Sequence, residues 1–237
     1  MTDHSANDDA ADDVATRLAK VKARVRDALR RAGRPDDDAT IVAVSKRQPA
    51  EAVQAAYLAG QRHFGESYVQ EALPKLERLE SLGAEWHFIG RIQSNKTRSI
   101  AERFDWVHTL ERPGIAHRLG SQRPAYAPPL NVLLQVSLAG ESQKGGVRPE
   151  ELRALADAVL GEPRLSLRGL MTIPPADLDT DSARRYFAQL QTLFRELADG
   201  GYELDTLSMG MSADFELALE QGSNCVRVGT AIFGARD

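Results

Sequence analysis

Eight short runs rich in apolar and β-branched residues recur along this chain, at 41–45, 62–64, 86–89, 106–109, 130–137, 165–171, 204–209 and 225–228. Segments of helical length and periodicity lie between them; the clearest carries Phe187, Leu190, Phe194 and Leu197 on one stripe. Strands that alternate with helices return each time to the same direction, which makes a parallel sheet. Eight such units in about 200 residues point to a (β/α)8 TIM barrel. The competing arrangement, an open doubly wound sheet, usually has fewer strands and opens on a glycine-rich turn. The turn after the first run is Ser45-Lys46-Arg47-Gln48-Pro49 and holds no glycine. Ahead of the first strand, Val14, Leu18, Val21, Val25 and Leu29 fall on one helical face, so an extra N-terminal helix is expected, ending near Gly33 and Pro35.

The 237 residues suit one domain, expected over 14–237, with an acidic flexible tail over 1–13. That tail holds five aspartates and no base, which leaves 29 acids against 30 bases in the body. A near-neutral body argues against a nucleic-acid groove. No apolar run approaches the roughly 18 residues of a membrane span, and the acidic start lacks the features of a signal peptide. Cys225 is the only cysteine, so intramolecular disulfides are excluded and a cytoplasmic location is expected.

In such a barrel the active site gathers at the C-terminal ends of the strands, and phosphate is commonly held by the loops after strands seven and eight. Lys46 ends the first strand. There it reads either as an amine made nucleophilic by desolvation or as a lysine that snorkels to solvent. Ser208-Met209-Gly210-Met211-Ser212 and Gly229-Thr230 place small residues and hydroxyls where strands seven and eight give way to helices. These turns suit a phosphate, although Ser212 also reads as a plain N-cap and Gly229 as a tight turn. Arg227 either meets an anion or an acceptor nitrogen inside the barrel, or points outwards between helices. His87 reads as an acid/base or ring-stacking group, or as a structural histidine. His63, His87, His108 and His117 show no His-x-x-x-His pairing, so no metal site is expected. Lys96-Thr97 is not a P-loop, because Asn95 stands where that motif needs glycine.

Val44-Ser45-Lys46, Phe64-Gly65-Glu66-Ser67-Tyr68-Val69-Gln70-Glu71, Trp86-His87-Phe88-Ile89-Gly90, Gln93-Ser94-Asn95-Lys96, Gly169-Leu170-Met171-Thr172-Ile173, Leu207-Ser208-Met209-Gly210-Met211-Ser212 and Arg227-Val228-Gly229-Thr230-Ala231-Ile232-Phe233-Gly234 occur in that order. Together they closely resemble the pyridoxal phosphate homeostasis protein family (YggS-like, PROSC-like). The resemblance implies a barrel of the alanine racemase N-terminal type carrying pyridoxal 5′-phosphate as an internal aldimine. By match to the family's motifs, Lys46 would be the Schiff-base lysine, and Ser208, Met211, Ser212, Gly229 and Thr230 would lie in the phosphate loops. Arg227 matches the arginine that faces the pyridine nitrogen, and Lys144 matches a second lysine region near the mouth. Ser67 stands where the family usually has asparagine, which removes one donor beside the cofactor's phenolic oxygen. His87 is expected among the cofactor-binding groups.

The resemblance implies a carrier without turnover that maintains vitamin B6 balance and supplies cofactor to apo-enzymes, acting as a monomer. The alternative is an amino-acid racemase, with His87 or Tyr68 moving the proton. Racemases add a second, β-rich domain, and this chain is expected to have none, since only three residues follow Gly234. A third reading is a Schiff-base aldolase that needs no cofactor.

Overall fold

A computed structural model describes residues 4–138 and 145–234, with side chains described from Asp13 onward. The strands are β1 (Thr40–Val44), β2 (His63–Glu66), β3 (Glu85–Phe88), β4 (Trp106–Leu110), β5 (Leu130–Gln135), β6 (Leu165–Met171), β7 (Thr206–Met211) and β8 (Cys225–Val228). All pair in parallel with their sequence neighbours, and β1 closes on β8, giving the expected (β/α)8 barrel. Around it run α1 (His4–Arg31), α2 (Ala50–Leu58), α3 (Val69–Arg78), α4 (Thr97–Arg103), α5 (Pro113–Gln122), α6 (Leu152–Leu160), α7 (Thr180–Asp199), α8 (Phe215–Glu220) and α9 (Thr230–Phe233). Strands such as Thr-Ile-Val-Ala-Val are β-branched and almost continuously apolar because helices cover the sheet outside and side chains fill it inside.

The stripe Val14, Leu18, Val21, Val25 and Leu29 is buried as the periodicity predicts, and α1 packs along α2, α8 and α9. Lys22 Nζ donates to the terminal carbonyls of Ala59 and Gly60 after α2 (3.4 and 3.2 Å), while Arg24 pairs with Glu216 at 2.9 Å. The extra helix therefore straps the first unit of the barrel to the last. Its backbone begins at His4, ten residues before the stripe, so it reaches into the segment expected as a tail; the alanines there favour helix.

Two strands carry glycines that the barrel requires, and one of them is also displaced from its expected run. The seventh starts and ends two residues later than the apolar run suggested, because the Asp205 carboxylate is engaged by the Arg168 guanidinium before the strand begins. It ends at Gly210 and Met211, and Gly210 has φ +97°; a Cβ there would meet Ala218 Cβ at 2.7 Å. In β6, Gly169 (φ +151°) lies at the register shift between β5 and β6, where a Cβ would stand 1.8 Å from Thr206 O. Only glycine permits that approach.

Candidate functional site

Lys46 lies at the mouth on a tight turn. After β1, the Gln48 N–H donates to Ser45 O at 3.0 Å, which makes Lys46 and Arg47 the corner residues. Arg47 has φ +61°, in a region that costs a non-glycine residue roughly 1–2 kcal/mol and that persists only where the surroundings impose it. The imposing group is Glu71, whose carboxylate accepts the Arg47 N–H. Lys46 is half-buried.

A buried charged network supports this turn from below. Ser45 Oγ donates to Glu66 Oε1 at 2.7 Å, and Lys75 Nζ donates to Ser45 O, Glu66 Oε1 and Glu71 Oε1 at 2.8, 2.8 and 3.1 Å. Glu66 is fully buried, and that burial raises its carboxyl above the ordinary value against the pull of Lys75 and Ser45. Its second oxygen, Oε2, has no hydrogen-bond partner among the described residues, an orphaned acceptor at the C-terminal end of β2.

Arg227, in β8, is 4% exposed and lies inside the barrel. It donates to Ser208 Oγ (2.6 Å) and to Thr172 O (2.8 Å). No carboxylate pairs with it among the described residues, and burial pulls its pKa down. A buried guanidinium on which the nearby Asp214 carboxylate acts without a direct ion pair makes this end of the barrel receptive to an anion. Above it the last two loops meet: the Gly229 N–H donates to Ser212 Oγ at 3.3 Å. Gly229 caps α9, whose first N–H groups have no intrahelical acceptor, and Thr230 is exposed beside them. The Met211 N–H is held by Asp214 Oδ1 at 2.6 Å, and burial raises the Asp214 carboxyl. In the closed barrel Val42 stands opposite Arg227 and Ala43 opposite Val228, so Lys46 and Gly229 emerge from neighbouring strands at one end.

Two expected site residues are placed differently. Ser208 is not a loop residue: β7 runs on past it, and it is fully buried between Arg227 and His108. His87 is not at the mouth. It stands opposite Trp106, the first residue of β4, and lines a cavity with Thr40, His63, Thr206 and Cys225, at the N-terminal ends of the strands. From there a chain of contacts runs inward. His63 Nδ1 meets His87 Nε2 at 3.1 Å, His87 Nδ1 meets His108 Nε2 at 2.9 Å, and His108 Nδ1 meets Ser208 Oγ at 3.0 Å. Burial holds His87 and His108 neutral, their pKa values well below the ordinary 6.5. The chain thus joins the floor of the barrel to Arg227 through uncharged rings.

Lys46, Ser67, Met211, Ser212, Gly229 and Thr230 lie at the mouth as expected from their places at strand ends. The Ser67 backbone packs against Gly90, where a Cβ would stand 2.0 Å from the Ser67 carbonyl oxygen. Lys144 lies outside the described residues. Sequence reasoning missed the roles of Glu66, Glu71, Lys75, Thr172, His108 and Asp214. A signal existed for one pair: Glu71 and Lys75 are four apart on α3, the spacing of a helical ion pair.

Comparison with known proteins agrees with this geometry. The sequence family described as alanine racemase, N-terminal domain, matches residues 16–237. A Pseudomonas aeruginosa protein named pyridoxal phosphate homeostasis protein is 54% identical over 224 residues, 94% of this chain and 96% of that one. An Escherichia coli protein of the same name is 49% identical over 228 residues, with 95% and 97% covered. Among solved structures, PipY of Synechococcus elongatus with PLP bound superposes with a TM-score of 0.82 at 38% identity, covering 93% of this chain and all of the other. The alanine racemase of Corynebacterium glutamicum, at 17% identity and a TM-score of 0.71, shares the fold over 62% of its length.

Proposed function

This chain belongs to the alanine racemase N-terminal domain family and, within it, to the pyridoxal phosphate homeostasis proteins, and from that premise we propose that it binds pyridoxal 5′-phosphate at the barrel mouth as a carrier. The observation that supports this reading most is the pairing, on adjacent strands β1 and β8, of a lysine held on a strained turn with a buried arginine that makes no direct ion pair among the described residues. The relative PipY has a structure with PLP bound.

When bound, the cofactor supplies an aldehyde that condenses with amines and a ring that can accept electrons. Lys46 is the residue that would hold the aldehyde end. The Ser212–Gly229 junction and Thr230 would hold the phosphate with a hydroxyl and backbone N–H groups, and Arg227 beneath them adds fixed positive charge. Asp214 keeps the Met211 N–H occupied and so narrows the cradle to the Gly229 side. Arg227 has no acceptor atom, and beside a ring nitrogen it would disfavour protonation and weaken the electron sink. Its donors to Ser208 Oγ and Thr172 O fix the guanidinium plane.

Lys46 in this arrangement would hold a reactive aldehyde at the mouth, which supports the carrier reading. The location of His87 at the floor removes one of the two groups a racemase reading would use; Tyr68, 52% exposed before α3, is the other. The carrier reading extends to release of cofactor to apo-enzymes, action as a monomer in the cytoplasm, and a single binding domain over 14–237.

The test is reconstitution of the protein with pyridoxal phosphate, borohydride reduction and peptide mapping, with α-deuterium exchange of added amino acids followed by NMR. The adduct is expected on Lys46, without exchange, and with activity regained by an apo-enzyme on mixing. An adduct retained at full yield in Lys46→Ala overturns the anchor, and exchange with turnover overturns the carrier reading in favour of an enzyme.

A further inference from the structure

The floor of the barrel carries a second constellation, which the mouth chemistry does not use. His63 opens β2 and Glu85 opens β3 as its register partner, while His87 follows two residues later, opposite Gly65. The three side chains therefore converge although 22 residues separate the first from the second, which is why no short ligand motif exists in the sequence. We propose that His63 Nδ1, His87 Nε2 and Glu85 Oε2 form a binding site for a divalent late transition metal of the Zn2+ type.

The spacing fits. The three ligand atoms lie within 4.8 Å of one another, with His63 Nδ1 3.1 Å from His87 Nε2 and 3.5 Å from Glu85 Oε2. Bonds of about 2.0–2.1 Å in a tetrahedral site put ligand atoms about 3.4 Å apart, so closure around an ion needs shifts of a few tenths of an ångström on the two measured edges, and the exposed Glu85 carboxylate has to swing in along the third, which is no longer than 4.8 Å. Two imidazoles and one carboxylate are the set that suits Zn2+ with a fourth position left to water, and the adjoining cavity of about 300 Å3 gives that water room.

Outer contacts aim the ligands. Trp106 Nε1 donates to Glu85 Oε2 at 3.1 Å, and the Trp106 ring stacks on His87 at 5.4 Å and 12°. His87 Nδ1 meets His108 Nε2, the second-nitrogen contact that fixes tautomer and ring orientation in metal-bound histidines. The chain from His87 to Ser208 admits two proton arrangements, one with every donor pointing from Arg227 towards the floor and one reversed. In the reversed one, His87 Nδ1 donates to His108 Nε2, His108 Nδ1 donates to Ser208 Oγ, and the lone pair of His87 Nε2 faces the floor. A metal selects that arrangement, with the His63 proton on its outer nitrogen and both rings neutral. Arg168, which lines the same cavity, is engaged by Asp205 and Asn131 and leaves the carboxylate of Glu85 to the ion.

Co2+ titration of the full-length protein tests this, because tetrahedral Co2+ gives visible d–d bands. Bands saturating at one equivalent and displaced by Zn2+ are expected. His63→Ala and Glu85→Gln, both at partly exposed strand starts, should weaken binding at least about tenfold, the scale of lost ligand-shell contacts. His117→Ala, at the exposed pair with Glu162, should leave it unchanged. Absence of the bands, or their retention in His63→Ala at unchanged affinity, overturns the proposal. The measurement needs no pyridoxal phosphate, so its failure and the failure of the carrier reading are separate results.

Discussion

The two ends of this barrel bury polar groups by opposite means. At the mouth, Glu66 and Lys75 stay together as an ion pair 2.8 Å long, with Ser45 and Glu71 completing the shell. Along the axis from the floor, His87 and His108 are buried as neutral rings that pass one hydrogen bond to the next. Charges are kept where a loop must be pinned and a ligand met, and neutral rings where the barrel is packed on all sides. The difference gives opposite responses to acid. Glu66 has its pKa raised, so its contribution to stability is complete below the ordinary carboxylate value of 4.5 and is lost as pH rises through the raised value. The histidines have theirs lowered, so their contribution is complete above 6.5 and is lost as pH falls towards the depressed values.

The largest effect should come from breaking the mouth pair. Lys75→Met leaves Glu66 buried without its cation and should cost about 3–5 kcal/mol in urea unfolding; a loss under about 1 kcal/mol would show that the pair is not what supports the turn. Next, Ser208→Ala takes an acceptor from Arg227 and a partner from His108, an expected loss of about 1–3 kcal/mol, read in the same way. A smaller and more diagnostic change follows from acid. As pH falls below 6.5 each buried histidine should contribute a slope that rises towards about 1.4 kcal/mol per pH unit, and His108→Gln should flatten the profile by one such share. An unaltered slope would place the titrating groups elsewhere. The smallest effect is Lys46→Ala, which should change stability by no more than about 0.5 kcal/mol while abolishing covalent retention of pyridoxal phosphate. If it unfolds the protein, the lysine belongs to the packing and not to the ligand.

Much of this architecture is legible in the sequence because a parallel barrel writes each strand as an apolar run. The bounds of β6 and β8 coincide with their runs, and β7 differs only because Asp205 is taken by Arg168. Ser212 and Gly229 were legible for a similar reason: they end strands, and strand ends define the mouth. His87 was not. Alternation along a strand says which side chains point inward, but depth along the axis is set by register between strands, and His87 stands level with the first residue of β4. The Glu66–Lys75 pair was hidden too, since the Lys75 side chain must reach from α3 back to the carbonyl of Ser45, thirty residues earlier in the chain.

The strap formed by α1 also bears on synthesis. Its apolar stripe packs along α8 and α9, and β1 finds one of its two neighbours only in β8. A ribosome delivers α1 and α2 well before α8 and α9, so the side of the helix that packs on the last unit waits for most of the barrel to emerge. Until then the nascent polypeptide displays part of the α1 apolar stripe to the cell, a surface suited to chaperone capture.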